Sequence, residues 1–228
     1  MKRFWTHVSV DGDRVIRLDD RPVRTPGRTP LALPTPAAAG AVAAEWAAVA
    51  DRVDPRAMPL TGLANAAIDR IAPDAARFAE GLARYGESDL LCYRADEPAE
   101  LAARQAAAWD PVIAWARARY DITVETTTGI IHRPQPPATL ARLSDAVAAL
   151  DPFAMAALSP LVTLTGSLLL ALALVENAFD ADTIWTAAHV DEDWQAELWG
   201  EDVLAAERRT ARRAEFDAAL RFLHAVRG

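Results

Sequence analysis

Few side chains in this 228-residue chain could do chemistry, and they are dispersed. The four histidines stand at positions 7, 132, 189 and 224. Only His189 has carboxylates at ligand spacing, with Glu192 and Asp193 one helical turn on. A di-metal carboxylate bundle needs a Glu-x-x-His pair on two helices and a glutamate on two more. Here the order is reversed and occurs once. A helical metal-carboxylate enzyme using His189 and Glu192 is therefore the alternative reading, against a solvated polar helix face. Cys92, the one cysteine, lies between Leu91 and Tyr93, the setting of a buried small hydrophobe. It can form no internal disulfide and fits a reducing compartment. No phosphate-cradling glycine loop is present, and Thr165-Gly166-Ser167 lacks the glycines of a nucleophile elbow and falls in an apolar run read as helix. No catalytic residue and no cofactor is expected.

The densest feature is the block from Asp191 to Asp202, which mixes six carboxylates with Trp194 and Trp199. Tryptophan among carboxylates at a helix corner suits a protein-binding anchor with a charged rim. Glu201 and Asp202 would fall in the first turn of the last helix, where the helix dipole favours acids. Arg208, Arg209, Arg212 and Arg213 follow and are expected to pair with these acids at helical spacing.

Composition bounds the remaining choices. Alanine supplies 51 residues and favours helix. Lys2 is the only lysine among 24 basic residues, the usage of a GC-rich bacterial genome. The net charge of −8 argues against nonspecific binding to nucleic acid or to an anionic membrane. Residues 152–175 carry no charge, but Ser159, Thr163, Thr165 and Ser167 dilute the run and no lysine or arginine anchors it. It reads as a buried core helix, not a membrane span. Met1 to His7 passes into alternation without an apolar leader core, so no secretory signal is expected.

The elements that must hold these residues divide the chain. Phe4–Val10 alternates, Asp11-Gly12 marks a hairpin, and Val15–Leu18 pairs back. Prolines 22, 26, 30, 34 and 36 confine the next segment to an edge or a clamp. Helical periodicity runs from about 37 to 53, with Val42, Trp46 and Val49 on one face. Further helices are expected at 63–71, 73–85 and from 98, with a new one starting at the Asp110-Pro111 cap signature. Residues 122–131 read as a strand, and 138–150, 152–158, 160–178, 182–199 and 202–226 as helices. The fold class is α+β. A small β-rich N-terminal domain (1–55, with the first helix near its end) precedes a larger, mainly α-helical domain (56–228).

Several strings in order carry a resemblance. Leu18-Asp19-Asp20-Arg21-Pro22-Val23-Arg24-Thr25-Pro26 is followed by Glu45-Trp46, Met58-Pro59-Leu60-Thr61 and Ala67-Ile68-Asp69. Asp89-Leu90-Leu91-Cys92-Tyr93-Arg94, then Gln105, Trp109-Asp110-Pro111 and Trp115, continue the set. Gly166-Ser167-Leu168, Glu192, Gln195 and Trp199-Gly200-Glu201-Asp202 complete it. Together they resemble the ATP12 family, assembly chaperones of the F1 part of ATP synthase. Asp20 stands where the family usually has Gly, and Val49 where a Gln often follows Glu-Trp. The resemblance implies binding to the unassembled F1 α subunit, protection from aggregation and handover to β without ATP hydrolysis. Because the partner would compete with self-association, a monomer is expected; the protein is expected in the bacterial cytoplasm, as the similar eukaryotic proteins are in the mitochondrial matrix, with neither nucleic acid nor membrane insertion. By spacing back from Glu192, Asp182 matches the family's essential acidic position, though it could equally be an N-cap. The candidate partner-contact residues are Asp182, Glu192, Trp199, Glu201 and Asp202.

Overall fold

The computed structural model describes residues 1–200 and 202–228. Strands β1 (Val8–Val10), β2 (Ile16–Leu18) and β3 (Arg21–Pro22) form an antiparallel sheet in that order. Helices α1 (Pro36–Ala48), α2 (Pro59–Ala66) and α3 (Ala75–Ala83) follow. Strand β4 (Tyr93–Arg94), helix α4 (Ala99–Tyr120) and strand β5 (Thr127–Thr128) come next, and β4 pairs with β5 in parallel. Helices α5 (Pro137–Ala148), α6 (Pro152–Thr165), α7 (Leu168–Val175), α8 (Ala181–Ala188), α9 (Val190–Trp199) and α10 (Val203–Arg227) complete the α+β chain.

Two compact units are woven from this order. One comprises residues 1–75, 150–160 and 214–228; the other comprises 76–149 and 161–213. In the first unit Asp11 builds the hairpin turn, its carboxylate accepting from the Asp13 and Val15 amides and from Arg17. Pro22 lies on edge strand β3, the place open to a residue without a donor. Thr35 caps α1 through the Ala38 amide, with Pro36 in the first turn. Val42, Trp46 and Val49 are buried, as their spacing predicts, and Trp46 meets Trp5 edge-on at 5.5 Å. Glu45 reaches across to cap α2, accepting from the amides of Leu60 and Thr61 at 2.8 Å each. A π turn over residues 67–71 then carries Asp69 beneath the 25–29 loop, where it accepts from the Thr25 hydroxyl and the Gly27 amide at 2.7 Å each.

Several expected boundaries are corrected. Asp110-Pro111 starts no helix, because α4 runs unbroken through Pro111. A buried face of Trp109, Val112, Ile113 and Ala116 outweighs the ladder bond lost there, at roughly 3 kcal/mol. Of residues 122–131 only Thr127–Thr128 enters a sheet, since β4 offers just two residues to pair with. Pro160 lies inside α6, and the uncharged run breaks instead at Gly166 (φ +67°) and Ser167. Ser167 caps α7 through the Leu170 amide, and every residue of α7 is buried. Among the described residues no helix is long and apolar enough to cross a membrane. The expected 182–199 helix starts at N-cap Asp180 and breaks at His189 into α8 and α9, so Asp182 lies in the first turn and is not the cap.

Candidate functional site

The site is built at the meeting of α8, α9 and the first turns of α10, all within the second unit. Helix α9 ends at Gly200, whose φ of +84° lets the chain leave the helix. Helix α10 then presents Arg209, Arg212 and Arg213 to acids of the two preceding helices. Arg213 bonds Asp182 at 2.6 Å and lies over the Trp185 ring at 5.4 Å. Arg212 bonds Glu192 at 3.0 Å, and Arg209 bonds Asp193. Of the four arginines expected to pair with the 191–202 acids, Arg209 and Arg212 do so, while Arg213 takes Asp182 outside that block; these pairs run between helices and not along one.

His189 sits at the centre of this lattice and is wholly buried. Its Nδ1 donates to the Trp185 carbonyl at 2.7 Å, so Nε2 is free to accept from Arg212 at 2.8 Å. Burial depresses its pKa below the ordinary 6.5, against the raising pull of the Trp185 carbonyl and Glu192. Glu192 is 4.0 Å from Nε2, but both ring nitrogens are engaged. Among the described residues no group of three or more His, Cys, Asp or Glu could hold a metal. The lone pair that the metal-enzyme reading needs is occupied by a guanidinium.

Around this lattice lies a cleft of about 410 Å³ between the end of α9 and the start of α10. Glu192, Trp199, Asp202, Arg208, Arg209 and Arg212 are among its walls. Three of the five candidates, Glu192, Trp199 and Asp202, thus come together in one place. Asp182 is engaged with Arg213 and does not line the cleft. Glu201 falls outside the described residues. Trp199 is 78% exposed, and Leu198, Val203 and Leu204 beside it are exposed too. Four exposed large apolar side chains within seven positions make an unusual surface to leave bare. Sequence reasoning singled out the tryptophan and the acids but not the apolar companions, although Leu198-Trp199 and Val203-Leu204 flank them directly.

The rest of the unit holds this corner in place. Gln105 accepts from the Ala95 amide and donates to Asp191 at 2.7 Å each, and Trp109 donates to the Ala187 carbonyl at 2.7 Å. Arg104 bonds Glu197 at 2.8 Å and covers the Trp194 ring at 4.8 Å, which holds the Glu197 carboxyl below its ordinary range. The Asp89–Arg94 string has a structural part. Buried Asp89 caps the turn at 90–92 through the Leu91 amide and α7 through the Leu169 amide. Arg94 bonds Asp110 at 2.7 Å and stacks on Trp109. Burial, with the nearby Asp89 carboxylate, pushes the Cys92 thiol up to about 12, so it is no nucleophile at neutral pH.

The family profile described as ATP12 chaperone protein matches residues 2–117. The solved structure of a D202K mutant of P. denitrificans Atp12p, numbered in its own chain, is 44% identical, with a TM-score of 0.94 over 99% of this chain and 97% of that one. A crystal structure of Atp12 from Paracoccus denitrificans is 44% identical at a TM-score of 0.93, covering 99% and 98%. The Atu1473 protein of Agrobacterium tumefaciens is 41% identical at 0.93, covering 99% and 86%.

Proposed function

The chain belongs to the ATP12 chaperone family, and from that premise we propose that it binds the unassembled F1 ATP synthase α subunit, prevents its aggregation and hands it to β. The observation that carries the reading is the α9–α10 corner, where exposed Leu198, Trp199, Val203 and Leu204 border a cleft walled by paired charges. An α subunit awaiting its neighbours exposes an interface meant for burial, and such patches aggregate. A chaperone has to cover that patch and still release it. An apolar anchor with a charged rim gives moderate affinity and a fast encounter, which suits exchange with β by competition. No phosphate-cradling loop occurs in the sequence, so release needs no nucleotide. Glu192, Trp199, Glu201 and Asp202 are the proposed contacts, with Asp182 holding Arg213 and through it the start of α10. The chaperone acts as a non-enzymatic monomer in the bacterial cytoplasm.

The test is capture of isolated α subunit, with β as control, beside an α-aggregation assay. Selective capture of α, suppressed aggregation, and at least tenfold weaker capture by Trp199→Ala support the reading. Failure to capture folded, unassembled α sinks it.

A further inference from the structure

A second apolar feature of the same unit stands apart from the α9–α10 corner in sequence. Ile130 is 95% and Ile131 79% exposed, more than any other large hydrophobic residues described, at the tip of the loop that follows β5. Two adjacent β-branched side chains in water gain nothing for the fold, yet the loop that bears them is fastened on both legs. On the ascending leg the Gly129 amide donates to the Arg94 carbonyl at 2.8 Å. The φ of +79° at Gly129 then turns the chain outward. On the descending leg His132 Nδ1 meets the Tyr93 hydroxyl at 3.0 Å, and Arg133 bonds Glu125 at 3.0 Å. Below them the buried Gln135 side chain accepts from the Glu125 amide at 2.9 Å and donates to the Glu125 carbonyl at 2.8 Å. That pair of bonds copies an antiparallel strand pair and closes the loop at its base. The tip is thus held out and pre-ordered, which lowers the entropy cost of docking.

We propose that Ile130 and Ile131 form a fixed apolar finger that seats in an apolar cleft on the unassembled α subunit, a second anchor in addition to the α9–α10 corner. This rests on the function proposed above and names a further contact for the same client. The finger offers on the order of 300 Å², against about 800 Å² per partner in a stable dimer, so a second copy of this chain is not its occupant. A convex tip also calls for a concave partner, which an identical tip cannot supply. An anionic bilayer is disfavoured as well. The chain carries a net charge of −8, and the finger's arginine, Arg133, is already neutralised by Glu125.

The experiment measures the affinity of the full chain for isolated α subunit, comparing wild type, the double variant Ile130→Ser/Ile131→Ser, and Trp199→Ala. Because both isoleucines face water, the double variant keeps the wild-type melting temperature within about 1 °C. It is expected to bind α at least tenfold more weakly. If wild type binds α and the double variant binds equally well, the finger is overturned while the chaperone reading stands. If wild type binds no α, both fall. A wild-type dimer in sedimentation that the double variant loses, or co-sedimentation with anionic vesicles that it loses, also overturns the proposal by naming another occupant.

Discussion

Asp89→Ala should be among the most damaging single substitutions in the second unit, and its cost can be worked from the carboxylate's partners. Asp89 is 1% exposed. One oxygen accepts from the Leu91 amide at 3.1 Å and the other from the Leu169 amide at 3.0 Å, which lies eighty positions on from Asp89. Removing the carboxylate leaves these two buried N–H groups without an acceptor, each costing about 1–3 kcal/mol, and also takes a partner from the Ser167 side chain and the Leu168 amide. Part of this is offset, because burial pushes the Asp89 carboxyl up and its own desolvation disappears with it. A net loss of about 3 kcal/mol follows, and for a chain of this size each kcal/mol moves the melting temperature by roughly 2–4 °C. The expected drop is therefore ~6–12 °C. Asp89→Asn keeps one acceptor oxygen and turns an amide NH2 toward the other donor, so it should lose about half as much. Calorimetry gives the shift, and hydrogen exchange at the Leu91 and Leu169 amides locates it, since both should lose protection in Asp89→Ala. A melting temperature within about 2 °C of wild type, with both amides still protected, would refute the double-cap account.

Four further outcomes are expected. A Cβ added at Gly27 would stand 2.6 Å from Asp69 Oδ1, so Gly27→Ala should cost about 1–3 kcal/mol in urea unfolding. Gly40→Ala in α1, where a Cβ meets nothing within 4 Å, should gain about 0.5–1 kcal/mol in the same assay. The folded pKa of His189 lies below its ordinary 6.5, so its contribution is present above about pH 6.5 and is lost as pH falls through that value toward the folded one. Urea midpoints of wild type should thus fall more steeply than those of His189→Gln as pH is lowered from about 7.5 to 5.5, and parallel slopes would contradict the depressed pKa. Cys92, with its thiol pushed up to about 12, should react with a thiol reagent at pH 8 only as fast as the unit opens, so its labelling rate should rise with denaturant.

Local signals were legible where one neighbourhood decides the structure. Asp11-Gly12 between alternating residues gave a hairpin, because the Asp11 carboxylate serves its own turn. The 42, 46, 49 spacing gave the buried face of α1 and its exit, because one helix face meets one core. The same local reading misplaced Pro111 and Pro160. Each follows a polar residue, Asp110 or Ser159, in a cap-then-first-turn pattern, yet both lie inside helices. Packing of Trp109 and Val112, or of Leu158 and Leu161, overrides a local penalty of about 3 kcal/mol, and no window of a dozen residues contains that packing. Nor does any local pattern announce that residues 214–228 return to the unit built by the first 75.

The candidate site divides along the same line. Six carboxylates and two tryptophans close together in sequence mark a corner whatever the tertiary arrangement, and Glu192, Trp199 and Asp202 do share a cleft. Which arginine serves which acid was not legible. That depends on the exit at Gly200 and on the break at His189, where α8 ends and α9 begins. His189 itself reads in sequence as a stray ligand because its two partners, the Trp185 carbonyl and Arg212, are a backbone atom and a residue 23 positions on. Asp89 shows the intermediate case. Its carboxylate caps the turn directly after it through the Leu91 amide, a partner two positions away. The second cap, on α7, exists only because Gly166 turns the chain and brings the Leu169 amide to the other oxygen. Residues that act within a few positions of themselves can be read from order alone. Those that join distant segments, as Asp89, His189 and Arg212 do, become readable only when the fold has brought their partners to them.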